Sequence, residues 1–243
     1  MALPKFSRLR VAMGAARTPS RGQASADRQV EPVWFEWLAL SGLLAFATWL
    51  LGAQGVWGLL LTSDPTGLTL VIIVVFAAST LWCGGRAREL QGQRTAMEAA
   101  AVSMRLTGES WAQQYWAALA TVPRDTDAPL DLLAEHTHGP HGTAWWVNGI
   151  QLKLGLLGKV IGFSILALQI GHIQSFDASQ SQDLLRSLTT GLGIALLTTM
   201  VGLVGNILLG LQLTRLDRYA DRLLADCQRH GLKIAANPSE RGA

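Results

Sequence analysis

The chain predicts an all-α polytopic membrane protein with four transmembrane helices, a cytoplasmic helical insert and a C-terminal helical extension. Three observations carry this. Only 15% of the 243 residues are charged, against about 25% in soluble domains. Four apolar stretches each suffice for the roughly 20 residues that a bilayer-spanning helix needs. All Lys and Arg residues except Lys153, Lys159 and Arg186 fall in three blocks within the long flanking segments, and the two short connections between apolar stretches contain none.

The segments follow in order. Residues 1–34 are basic and rich in Ser, Gly and Ala; they lack the apolar core of a signal peptide and read as a disordered cytoplasmic arm. The first span is 37–61 and the second 67–85. Residues 86–120 read as helix, extending the second span. Residues 121–143, TVPRDTDAPLDLLAEHTHGPHGT, hold three prolines and read as a turn-rich linker, so that the whole insert covers 86–146. The third span is roughly 147–172 and the fourth 187–213. In 214–232 Leu216, Leu223 and Leu224 alternate with Asp217/Asp221 and Arg218/Arg222 pairs four apart, which predicts a charged helix continuing the fourth span, bounded by Gly231 and Pro238.

Charge sets the orientation. The basic blocks run from Lys5 to Arg28, Arg86 to Arg124 and Arg215 to Arg241, whereas connections 62–66 and 173–184 carry Asp64, Asp177 and Asp183. The positive-inside rule then places both termini and the insert in the cytoplasm. One disposition of membrane helices accounts for all three blocks, so no nucleic-acid partner is expected. Cys83 and Cys227 stand far apart and read as unpaired thiols.

The first two spans carry bulky apolar residues and read as lipid-facing. The last two differ in kind. They contain Gly155, Gly158, Gly162, Gly191, Gly193, Gly202, Gly205 and Gly210, and small residues let membrane helices approach closely where lipid gives no hydrophobic drive to associate. They also hold the polar groups. Lys159 lies inside GLLGKVIGFSILALQI, where an ammonium costs at least about 2.5–3.5 kcal/mol near a bilayer centre; it either snorkels partly towards the headgroups or asks for a partner or a wet path. Lys153 is nearer the headgroups and can snorkel to them. Thr199 and Asn206, seven apart, share a helical face and are candidates for an ion path. Thr198, rotated by about 100°, either joins that path or bonds back to its own helix.

HTHGPH supplies His136, His138 and His141 at a spacing that can bind metal, but with no scaffold beside it, so a solvated loop is expected. His172 reads as an interfacial polar residue. Nucleophile elbow, phosphate loop and metalloprotease motif are all absent from the sequence. An enzyme is not expected, nor a cofactor or metal.

The pair LGLLGKVIGF, 154–163, and LTTMVGLVGNI, 197–207, resembles the MotA/TolQ/ExbB proton-channel family. Its pattern is a glycine-rich helix of the form LGLLGTVxG, a short outer loop, a helix of the form A-T-A-x-G-L-x-A, and a charged helix into the cytoplasm. The likeness covers about 145–230, with the large insert before it, and the two helices ahead of that insert look more like the MotA plan. The resemblance implies an inner-membrane pentamer around a single-span partner of the MotB/ExbD/TolR type whose membrane Asp carries a proton or sodium, with force delivered to motility, envelope transport or Zorya-type anti-phage defence. It implies pore-lining roles for Thr199 and for Lys159, which stands where the family has a hydroxyl, and close packing at Gly155, Gly158 and Gly162, with Gly202 and Gly205 on the second helix. Leu208 stands near the place of the family's proline. A lysine at the pore would hold a partner carboxylate ionised, so a non-conducting scaffold with the same fold is the other expectation.

Overall fold

A computed structural model describes residues 33–64, 66–103, 108–121, 127–171 and 178–236. Most of the basic arm, together with His172, Asp177 and Pro238, falls outside these residues. The regular elements are six helices among the described residues: α1 Val33–Ala53, α2 Val56–Ser63, α3 Leu68–Ser103, α4 Trp111–Thr121, α5 Asp127–Gly171 and α6 Ala178–Ala236. Four of them, α1, α3, α5 and α6, are long and apolar enough to cross a membrane.

The expected first span is broken. Gly55 adopts a left-handed φ of 74° and its N–H bonds Gly52 O at 3.0 Å, closing a turn between α1 and α2. The apolar run continues across this break, so hydropathy alone merges the two helices. With 21 residues, α1 is about 31 Å long and is by itself long enough to cross the hydrocarbon core.

The expected linker 121–143 is also corrected: α5 begins at Asp127 and runs through it. Pro129 occupies the first turn, where a helix needs no N–H donor. Pro140 lies inside the helix and deprives the His136 carbonyl of its usual donor. Arg86 on α3 supplies the replacement, its Nη2 donating to the carbonyls of His136 and of Thr137. A tertiary contact thus rescues a helix that local propensity argues against. In the same way α6 runs through Gly231 to Ala236 rather than ending there.

At 45 and 59 residues, α5 and α6 are about 68 and 88 Å long, roughly twice or more the hydrocarbon thickness. Their excess length, with the end of α3 and with α4, forms a helical head. Leu90 and Met97 of α3, Trp116 of α4, Leu133 of α5, and Leu223 and Cys227 of α6 are buried in it. Trp116 Nε1 donates to Cys227 O at 3.0 Å. Gly231 makes that approach possible, since a Cβ there would stand 2.9–3.2 Å from Leu119, Tyr115 and Trp116. Arg94 of α3 joins the head to α6 through Asp226 at 3.2 Å, with Glu98 at 3.1 Å on its other side.

Candidate functional site

The membrane parts of α5 and α6 meet along a seam of small and polar residues. On α5 these are Asn148, Gln151, Gly155, Gly158 and Gly162; on α6 they are Gly191, Ala195, Thr198, Gly202 and Gly205. Both series advance by three or four residues, so each forms one stripe along its helix. The backbones touch. A Cβ on Gly202 would sit 2.9 Å from Gly155 Cα and 3.0 Å from Gln151 O, and one on Gly162 would sit 2.8 Å from Gly191 O. A Cβ on Gly158 would overlap the Thr198 hydroxyl. Gly155, Gly158, Gly162, Gly202 and Gly205 therefore all lie where α5 meets α6.

The hydroxyl and amide groups bind across this seam. Thr199 Oγ1 lies 2.7 Å from Ala195 O on its own helix and 3.2 Å from Gly155 O on α5. Asn206 Nδ2 donates to Asn148 O at 2.8 Å. Both residues share a face, as their seven-residue spacing requires, and both remain partly open to the outside of the chain. Thr198 does not. It is 0% exposed and donates to Ile194 O at 2.8 Å, one turn back. Expected as a possible pore-lining group, Thr198 belongs to the interior of the seam, because its neighbour across the helix contact is Gly158.

Lys159 points the other way. It lies on the outer face of α5 with Leu156, Leu157, Val160 and Phe163, all exposed on the single chain. Among the described residues it has no ion-pair partner, and its ammonium stands 6.0 Å from the centroid of the Phe163 ring. Lys153 is exposed as well.

A second polar constellation forms at the end of the glycine seam, next to the helical head. His141 on α5 is 2% exposed. Its Nδ1 is 2.6 Å from Asp217 Oδ1 of α6, and a carboxylate can only accept, so Nδ1 carries the proton. Trp145 Nε1 donates to the other oxygen, Asp217 Oδ2, at 2.8 Å. Arg86 Nε approaches His141 Nε2 at 3.5 Å, and its guanidinium also pairs with Glu89 at 2.7 Å and lies 5.3 Å from the Trp111 ring centroid. One turn along, His138 Nε2 meets Asp221 Oδ1 at 2.9 Å. Burial pushes the His141 pKa below its ordinary value, with Arg86 and His138 acting in the same direction and Asp217 opposing them. His141 is therefore neutral around pH 7, clamped between a carboxylate and a guanidinium.

The sequence reading missed this junction because it placed the three histidines in a solvated loop. All three lie on α5: His138 and His141 face the Asp217/Asp221 stripe anticipated on α6, while His136 bonds back to Leu132 O and lies beside Trp111 of α4. Among the described residues no group of three or more His, Cys, Asp or Glu side chains is arranged to hold a metal ion. Gln151 was missed too. It is 0% exposed, and neither its Nε2 nor its Oε1 has a partner. Its signal was present in the sequence as an amide three residues from Asn148 and four from Gly155, on the glycine face. No family model, curated protein or solved structure matches this chain.

Proposed function

We propose that this protein is the channel-forming subunit of an ion-driven, force-transducing complex in a bacterial inner membrane, with both termini cytoplasmic. In this reading several copies, five on the family pattern, form a ring around a single-span partner of the MotB/ExbD/TolR type. The partner's membrane Asp takes up and releases a proton or sodium ion. The reading rests on the outward position of Lys159. An unpaired ammonium on an apolar, exposed membrane face calls for a protein or aqueous neighbour supplied from outside the chain. The glycine seam supports it by making α5 and α6 one stiff unit, against which a central partner can turn. Thr199 and Asn206, partly open at the edge of that seam, are the groups proposed to border the ion path. Proton or sodium flux into vesicles containing the chain and its partner tests this. Flux that falls on Thr199→Ala is expected; the absence of flux from the complete complex would falsify the proposal.

A second reading has its own observation. The single Thr199 hydroxyl proton is already committed, donated to Ala195 O at 2.7 Å with Gly155 O the more distant acceptor at 3.2 Å, and Thr198 is sealed inside the seam. A ring whose hydroxyls are occupied and whose face carries a fixed cation suits a non-conducting scaffold, in which Lys159 forms a permanent salt bridge with the partner, for example in a Zorya-like defence assembly. Lys159→Thr separates the two: a new ion leak supports the lock, and loss of an existing flux supports a working pore lysine.

A further inference from the structure

A cleft of about 110 Å3 opens between α1, α3 and α6 at the membrane boundary next to the helical head. Its walls are apolar, with Val33 and Leu40 from α1 and Leu211 from α6. Trp37 is fixed at its side by a 3.1 Å bond from Nε1 to Thr80 O. Two features are not explained by packing. Gln212 lines the cleft and is 5% exposed, yet its Oε1 has no partner; its Nε2 is already committed to Thr80 Oγ1 at 3.3 Å. At the rim, Glu36 and Arg215 form an ion pair at 3.0 Å, and both also line the cleft.

A buried carbonyl oxygen left unpaired in an apolar wall requires a donor. The rim offers one anion and one cation side by side. Their mutual pairing is exposed and therefore weakly held, so each can exchange its partner for a matching group. The ligand that satisfies all three features has an apolar tail, a phosphate and an ammonium carrying N–H donors. We infer that this cleft is a binding site for a zwitterionic phospholipid with a primary amine in its headgroup. The ammonium donates to Gln212 Oε1 and Glu36, the phosphate lies against Arg215, and the start of an acyl chain covers Leu40 and Leu211. The cleft is small, so it holds one chain segment and not a whole lipid. Its depth fits the ligand, since α1 enters and α6 leaves the membrane at this level. The site lies where α1 meets the α3–α6 body.

The test is lipid retention by the intact protein in native mass spectrometry. The protein is released from nanodiscs of matched acyl composition containing phosphatidylethanolamine, phosphatidylcholine or phosphatidylglycerol. Phosphatidylcholine keeps the phosphate and positive charge but has no N–H, and phosphatidylglycerol keeps donors but has no cation. Retention of the ethanolamine lipid should exceed both by roughly three- to tenfold, the range that one ordinary net hydrogen bond allows. Gln212→Leu and Glu36→Gln should each erase the preference over phosphatidylcholine, with the melting temperature of Glu36→Gln unchanged because that residue lies at the rim. Equal retention of the ethanolamine and choline lipids, or a preference that survives both substitutions, overturns the proposal. A preference for phosphatidylglycerol overturns it as well, in favour of a simple anion site on Arg215.

Discussion

The same two helices, α5 and α6, build two regions by opposite means. In the membrane they meet through glycines whose backbones touch, with Gly202 above Gly155 and Gly191 above Gly162. Beyond it they meet through large and charged side chains, with His141 and Trp145 bonded to Asp217 and His138 to Asp221, while Cys227 of α6 is buried against Trp116 of α4. The difference follows from the solvent. Water drives large apolar groups together in the head. Lipid supplies no such drive, so the membrane seam depends on close approach, dispersion and hydrogen bonds between helices. The seam is therefore intolerant of added volume, and the junction above it is intolerant of lost partners.

The largest expected effect breaks the seam. Gly202→Leu forces bulk against the α5 backbone and should destabilise the protein by about 3 kcal/mol or more, read as a fall in melting temperature in detergent. Gly193 is the control. A Cβ there meets nothing within 4 Å, so Gly193→Ala should be neutral or stabilising by up to about 1 kcal/mol. Equal losses at both positions would show that the seam is looser than its geometry states.

The next effect breaks the junction. Arg86→Met leaves the His136 carbonyl beside Pro140 without a donor and removes hydrogen bonds from a charged group, which should cost about 2–3 kcal/mol. Hydrogen exchange should localise the loss to α5 around residues 136–141. Protection that stays unchanged there contradicts the role given to Arg86.

Gln151→Leu sharpens the contrast from the other side. It replaces an amide with two unpaired buried atoms by an apolar group of similar size, and should stabilise the isolated protein by about 1–2 kcal/mol. A loss of stability instead means that Gln151 has a bound partner, such as an internal water.

The smallest effect is on pH dependence. The folded pKa of His141 lies below its ordinary value of 6.5. The unfolded chain therefore binds the proton more readily, and the stability contributed by neutral His141 is complete above pH 6.5 and is lost as the pH falls below 6.5 and through the lower folded pKa. The melting temperature of the wild type should drop more steeply below pH 6.5 than that of His141→Gln. Parallel curves would assign the pH dependence to other groups.

Much of this architecture was legible in the sequence. The four helices long and apolar enough to cross a membrane, the continuation of α3 and α6 past their apolar segments, and the glycine stripe all follow from hydropathy and spacing. Three features did not. The break at Gly55 is hidden by uniform apolarity on both sides. The helix through Pro140 depends on Arg86, 54 positions earlier, and local signals cannot report a donor delivered by another helix. The burial of Thr198 rather than Thr199 depends on the rotation of α6 against Gly158, which a seven-residue periodicity alone does not fix. Lys159 was conspicuous in the sequence, and the structure adds that it faces away from the seam.

That outward position carries the functional proposal, and photo-crosslinking tests it most directly. A photoreactive amino acid is placed at Lys159, and another at Leu43, an exposed position on α1, in native membranes. The account predicts a specific adduct from position 159 to a single-span membrane protein near an acidic residue, and only lipid adducts from position 43. Lipid adducts alone from both positions would contradict the claim that the Lys159 face meets a protein partner.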